Sequence, residues 1–258
     1  MSGLFGLLAL LSRIRLSRSG VDLESAARRQ YLFPAAGAAL GIIFTLAALL
    51  AFDLLDGILN GFIISLLVVM FLYFVTGLIH LEGLADFGDG LMASGDRERK
   101  KGAMKDVAVG ASGTFFMIIA VLMLFLLVNE LGSRVDSPPF LLWANRIPLV
   151  LGILVAEVGA KLAMNTVMII GPSSHPGMGS IFVTAATPER YVAALAIGTA
   201  IALLASGLYG LIVLLGPIAG IAVAMVARKH FGGVGGDSFG AANEVGRLLV
   251  LFAWVILL

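Results

Sequence analysis

Three carboxylates recur at helical spacing between Thr76 and Gly90: Glu82, Asp86 and Asp89 stand four and three residues apart. In a helix they share one face, where like charges repel. They also follow directly on an apolar run, so desolvation adds to the cost. A hard divalent cation offsets both penalties. Mg²⁺ takes oxygen donors, usually one or two carboxylates together with substrate phosphates. The plainer reading is a solvated acidic loop balanced by Arg97, Arg99, Lys100 and Lys101. The apolar, glycine-interrupted setting (Gly83, Leu84, Ala85, Phe87, Gly88) favours the metal reading, because glycines admit a backbone or substrate closely.

Other groups extend this cluster. His80, two residues before Glu82, is placed as a general base or phosphate contact, or else as an interfacial anchor. No zinc spacing is present, and with no Cys in the chain a thiolate site is excluded. Lys105 and Asp106 precede Gly110 and Gly113, where a third apolar run begins. A helix entry beside a lysine suits phosphate; a basic membrane anchor is the alternative. Asp96, Glu98 and Asp106 can enlarge the acidic site.

A glycine-rich run, Phe231 to Gly240, lies late in the chain. It lacks the Lys-Ser/Thr ending of a P-loop, yet successive backbone N–H groups at Gly232, Gly233 and Gly236 can cradle an anion. A flexible linker is the alternative, which Asp237, Asn243 and Glu244 weaken; these three can complete a metal or ribose site against the first cluster. Glu157, Lys161 and Asn165 recur every fourth residue inside an apolar run. There a structural Glu–Lys pair is favoured over a functional one. The breaker-rich loop Gly171 to Gly179, with His175, is placed along the substrate cleft.

The elements that must position these groups are membrane helices. Of 258 residues 60% are hydrophobic and only 13% charged, with mean hydropathy +1.05; soluble domains carry about 25% charged residues. Seven runs approach the roughly 20 apolar residues a span needs: Ala35–Phe52, Ile58–Ile79, Ala111–Val128, Ile147–Ile170, Tyr191–Ser206, Leu208–Ala227 and Ala241–Leu258. The fifth and sixth read as a tight hairpin. With the N-terminus inside, fourteen Lys and Arg fall on the cytoplasmic side and only Arg134 and Arg146 opposite, as the positive-inside rule requires. Gly3 to Leu11 has no basic segment before it and reads as a short interfacial helix rather than a signal peptide. The expected fold is therefore all-α. It is one integral, polytopic transmembrane helical bundle over residues 1–258, with about seven spans, the N-terminus cytoplasmic and the C-terminus outside. Residues 1–34 form an interfacial segment. Residues 80–110, 171–190 and 228–247 form cytoplasmic loops, and chemistry faces the cytoplasm.

On these motifs the chain resembles the cobalamin synthase (adenosylcobinamide-GDP ribazoletransferase) family. The family's His-x-(Asp/Glu)-Gly-Leu-Ala-Asp-x-x-Asp-Gly signature reads here as His80 to Gly90, followed by an Arg-rich turn from Asp96 to Lys101 and by Met104-Lys105-Asp106. Its late glycine motif matches Gly232, Gly233, Gly236, Asp237, Gly240, Ala241 and Glu244. Phe33-Pro34 with Gly37 and Gly41 matches its opening. Six positions depart from the pattern: Glu82 for Asp, Val107-Ala108 for Ser-Arg, Gly235 for Thr, Arg247 for a second Glu, and Lys161 for the more typical Arg.

The resemblance implies a Mg²⁺-dependent transferase of the inner membrane. It would join adenosylcobinamide-GDP to α-ribazole, or its 5′-phosphate, with release of GMP. On this reading Glu82, Asp86 and Asp89 hold the metal, Asp106 and Asp237 support the metal or activate the hydroxyl, and His80 is the third catalytic residue. Lys105, Arg99, Gly232, Gly233, Gly236 and Asn243 hold substrate or phosphate. The lipid bilayer is a partner, nucleic acid is not expected, and a homo-oligomer stays open. Two alternatives remain: a CDP-alcohol phosphotransferase, although Asp86 occupies that motif's Arg position, and a cation-coupled transporter, which wants its acids near the bilayer midplane.

Overall fold

The computed structural model describes residues 3–14, 22–133 and 142–257, with the side chains of 142–150 left out. Among the described residues the elements are helices, and pairing of the β type is limited to isolated bridges. They are α1 (Gly3–Leu11), α2 (Leu23–Arg28), α3 (Phe33–Leu55), α4 (Gly61–Thr76), α5 (Ile79–Met92), α6 (Arg97–Met104), α7 (Ala111–Ser133), α8 (Leu142–Ile170), α9 (Met178–Ala185), α10 (Pro188–Ser206), α11 (Leu215–Phe231) and α12 (Gly236–Leu257).

Five segments are long and apolar enough to cross a membrane: 30–55, 111–133, 151–170, 188–231 and 236–257. Counting the bent α4–α5 pair as one more gives six. The segment 188–231 has 44 residues, which as one straight helix would reach about 66 Å, twice the hydrocarbon thickness. The chain breaks it at Gly207, whose φ is +60°, and continues as a 3₁₀ stretch from Gly207 to Leu214. That stretch packs so tightly on the end of α10 that a Cβ on Gly210 would stand 2.4 Å from the Ala202 carbonyl carbon.

α8 is the central post. Over 151–170, 83% of its apolar window is buried, against 28% for α7, and α3, α10, α11 and α12 all pack on it. Small residues make the closest crossings. A Cβ on Gly37 or Gly41 of α3 would meet the α8 backbone at Glu157 or Leu154 within 2.9 Å, and Gly216 and Gly220 of α11 touch α8 in the same way. Lipid gives no hydrophobic drive between helices, so such close backbone approach is how membrane helices gain packing energy. Phe74, Phe115, Ile118 and Leu126 remain exposed on the outer faces of α4 and α7, as a bilayer-facing surface requires.

The helix expected at Gly3–Leu11 forms as α1. Leu7 and Leu11 are buried, and α1 packs on α3. The expected run Ile58–Ile79 ends sooner, at Thr76. Gly77 and Leu78 take φ of +70° and +64° in succession, and α5 leaves at 89° to α4. Leu78 is the one non-glycine among the described residues with positive φ. Arg15, Arg18 and Arg134, and the side chain of Arg146, on which the charge partition partly rests, lie outside what is described.

Candidate active site

The predicted loops after the second, fourth and sixth apolar runs meet at one end of the bundle. α5 crosses the start of α12, where both helices carry glycine: a Cβ on Gly83 would lie 3.2 Å from the Asp237 Cα. Ser173 and Val234 form a single β-bridge. Ser174 N–H donates to the Val234 carbonyl at 2.9 Å, and Val234 N–H to the Pro172 carbonyl at 2.8 Å. The first turn of α9 then touches the same run, with Gly179 against the Gly236 nitrogen. Arg97 Nε donates to the Lys229 carbonyl at 3.4 Å, tying α6 to the end of α11.

This convergence sorts the sequence-predicted residues. Asp86 and Asp237 come together from α5 and α12. Burial, then the neighbouring Asp237, Glu82 and Asp89, push the Asp86 carboxyl up from 3.8 to about 6. Glu82 is exposed on the same turn of α5. Lys105, Ser174, His175, Gly233 and Asp237 line one narrow cleft. Ser174 Oγ lies 2.8 Å from His175 Nδ1. Gly232 ends α11 in the left-handed region, φ +78°, and Gly236 has open space where a side chain would stand. The breaker-rich loop signalled its place in the cleft, but nothing in the sequence singled out His175 as a neighbour of Asp237.

Other expected residues lie elsewhere or are already engaged. Asp89 accepts hydrogen bonds from Gly110 N–H at 2.7 Å and Gly113 N–H at 2.8 Å, one on each oxygen. It therefore clamps the start of α7 to α5, a use the spacing alone did not reveal. Asp106 is exposed and accepts from Ala108 N–H at 3.0 Å. Arg99 is exposed, its stem lying over Gly95. His80 is buried at 4% exposure beneath the crossing, with Nδ1 unpartnered in the protein. Asn243, expected on the substrate, is fully buried. Its amide donates to Glu244 Oε1 at 3.0 Å and its carbonyl accepts from Lys161 Nζ. Among the described residues no group of three Asp, Glu or His side chains is gathered closely enough to hold a metal by itself.

Below the polar end sits a buried ionic network. Arg247 Nε donates to Glu157 Oε1 at 2.6 Å, and its Nη1 to both Glu244 oxygens at 2.7 Å. Tyr73 of α4 donates to Glu244 at 3.0 Å. Lys161 Nζ stands 3.6 Å from Glu157 Oε2, an ion-pair distance too long for a hydrogen bond; its hydrogen bond goes to Asn243. Two acids face two bases, so the set is neutral. This agrees with the structural reading of Glu157 and Lys161, and it shows what Arg247 does: it balances Glu157 and Glu244 between α8 and α12.

Apolar helices around one carboxylate- and glycine-lined end define a multi-pass membrane protein. The chain belongs to the cobalamin-5-phosphate synthase family, whose pattern it matches over residues 3–255. It is 34% identical to the adenosylcobinamide-GDP ribazoletransferase of Methanococcoides burtonii, over 95% of this chain and 89% of that protein. It is 37% identical to that of Methanocella arvoryzae (97% and 94%) and 34% identical to that of Halorubrum lacusprofundi (99% and 97%). No solved structure matches it.

Proposed function

We propose that this protein is an adenosylcobinamide-GDP ribazoletransferase acting late in cobalamin synthesis. A hydroxyl oxygen of α-ribazole, or of its 5′-phosphate, attacks the phosphorus bonded to the cobinamide. The new P–O bond forms as the anhydride P–O bond to GMP breaks, and the hydroxyl proton passes to a base. The observation that carries this reading is the meeting of Asp86 and Asp237, from distant parts of the chain, beside a glycine-rich turn and Lys105.

Asp237 is the base best placed for the hydroxyl proton, with His175 beside it. Lys105 and the N–H groups around Gly232 to Gly236 hold the diphosphate. Asp89 keeps the entry of α7, and so Lys105, in register with α5. Phosphoryl transfer asks mainly for positioning and charge neutralisation. Glu82 and Asp86 would hold Mg²⁺, which when bound neutralises the diphosphate and the departing GMP. The donor set fits that ion in one respect: it is all oxygen, with one or two carboxylates leaving room for water and substrate phosphate.

The topology belongs to the same reading. Taking α4 alone as a span, and dividing 188–231 at Gly207, gives seven crossings by α3, α4, α7, α8, α10, α11 and α12. The joined loops then lie on the side rich in Lys and Arg, the cytoplasmic face of the inner membrane, with the C-terminus outside. The test is direct. Purified protein in nanodiscs receives adenosylcobinamide-GDP, α-ribazole 5′-phosphate and Mg²⁺, and GMP is measured. Asp86→Asn and Asp237→Asn should each abolish release, and full activity in both would refute the proposal.

A further inference from the structure

A second polar cleft is used by nothing described so far. It measures about 530 Å³ and lies between α2, α9 and the start of α10, with Arg28, Arg190, Ser180, Thr184 and Glu24 among its walls. The volume is in the range of small-ligand sites. Arg190 is half-buried and spends one donor on the Ala185 carbonyl, at 2.5 Å; a guanidinium has five. Arg28 is tied to Glu24 at 3.1 Å, but the two side chains are 67% and 72% exposed. Such a pair is weak and readily exchanged for a stronger anion. Glu189, next to Arg190 in the chain, is outside the wall and hydrogen-bonds Thr187. The walls therefore carry two positive charges and one negative, with two hydroxyls beside them. That set suits a singly charged phosphodiester, whose oxygens arginine binds in a fork.

The depth of the cleft indicates which molecule brings the phosphate. Arg28 stands two residues before the apolar segment 30–55, and Arg190 is the third residue of the segment 188–231. The two segments begin side by side, since α10 packs on α3 and on the 3₁₀ turn Gln30–Leu32. Where a span begins, hydrocarbon gives way to headgroups, and a basic pocket between spans at that level meets lipid phosphates. The face of α10 below can take a hydrocarbon chain. Val192, Ala196, Ala200 and Leu204 recur every fourth residue and are exposed, a row that is apolar throughout and shallow at its two alanines. A soluble phosphate has no use for that row.

We propose that this cleft holds the headgroup phosphate of an anionic phospholipid, with Arg28 and Arg190 as its ligands and one chain lying along α10. The proposal is independent of the reaction above. Glu24 weakens the site by competing for Arg28. A zwitterionic headgroup brings its own cation and leaves the net charge of the walls unanswered, so it binds less tightly. Gly179 of α9 packs on Gly235 and Gly236, so a lipid that braces α2, α9 and α10 also stabilises the polar end of the bundle.

Native mass spectrometry of the full chain in detergent measures the binding of phosphatidylglycerol and of phosphatidylcholine, each added alone. Wild type is expected to bind one phosphatidylglycerol on the order of tenfold more tightly than phosphatidylcholine, the worth of a charge-assisted bond, and to melt at a higher temperature with it. R28Q and R190Q should each bring the ratio of the two affinities toward one and abolish the thermal shift. E24Q should raise the ratio. R190K, which keeps the charge, should recover part of it. Arg28 is exposed, so R28Q tests the idea without the folding risk carried by Arg190's bond to Ala185. R228Q removes the same charge from the exposed end of α11 and should leave the ratio as it is. A ratio near one in wild type, or one that R28Q and R190Q leave intact, overturns the proposal. An equal loss in R228Q would mean attraction by net charge alone and would overturn it too. If inorganic phosphate displaces phosphatidylglycerol at a comparable concentration, the cleft serves soluble anions and the proposal falls.

Discussion

Gly83 of α5 and Gly240 of α12 meet backbone to backbone. A Cβ on Gly83 would stand 3.1 Å from the Gly240 Cα, and one on Gly240 would stand 2.8 Å from the His80 carbonyl oxygen. Each glycine lies three residues from a carboxylate, Asp86 or Asp237, so this crossing sets how near the two acids come. Gly240→Val cannot be accommodated without moving α12 away from α5. Turnover is expected to fall at least about tenfold, equivalent to about 1.4 kcal/mol in the barrier, and the Mg²⁺ requirement to rise. GMP release across a Mg²⁺ series checks this; wild-type kinetics in a folded variant would refute it.

Asp86 and Asp89 share a helix face but should fail in different ways. Asp86→Asn is expected to remove Mg²⁺-dependent GMP release with little change in thermal stability. Asp89→Ala leaves the N–H groups of Gly110 and Gly113 without their acceptor, at a cost of about 1–3 kcal/mol. It should lower the melting temperature and loosen the start of α7. Comparing melting curves with activity separates the two roles, and identical behaviour of the two variants would contradict the division.

The Asp86 carboxyl, raised to about 6 by burial and its acidic neighbours, sets a pH dependence. Above that value it is ionised and available to Mg²⁺; below it, a proton competes. The Mg²⁺ concentration for half-maximal activity should therefore rise as pH falls through about 6 and level off above about 7. Asp86→Glu should shift this profile rather than abolish it. A Mg²⁺ requirement that is flat from pH 5 to 8 would exclude the role.

Arg247→Ala would strand Glu157 and Glu244 in the bundle without their shared cation. Breaking a buried pair from one side costs about 3–5 kcal/mol. Arg247→Met combined with Glu244→Gln should recover much of that loss, because one acid and one base go together and Glu157 keeps Lys161 as its counter-ion. Thermal unfolding in detergent measures both. Equal melting temperatures for Arg247→Ala and wild type would contradict the network's structural role.

The α4–α5 elbow gives a prediction about the backbone. Gly77 has φ +70°, and a Cβ there would stand 2.5 Å from the Arg13 side chain. Gly77→Ala combines left-handed strain, about 1 kcal/mol, with displacement of the N-terminal segment. Loss of stability should be accompanied by faster proteolysis near Arg13, and an unchanged digestion pattern would argue against that docking.

The amino-acid sequence alone settled the helical class, most of the apolar runs and the acidic signature, because these are local: hydropathy over twenty residues and charge spacing along one helix face need no partner. It also marked Glu157 with Lys161 as a structural pair, since both lie on α8. It did not reveal that Asp89 serves the backbone of Gly110 and Gly113, that Asn243 is drawn inward by Lys161, or that His175 comes beside Asp237. Nor did it show that Arg247 joins Glu157 across ninety residues of chain. Those assignments depend on which helices cross and at what separation. Glycines at Gly37, Gly83, Gly179 and Gly240 decide that, by removing the one atom that would hold two backbones apart.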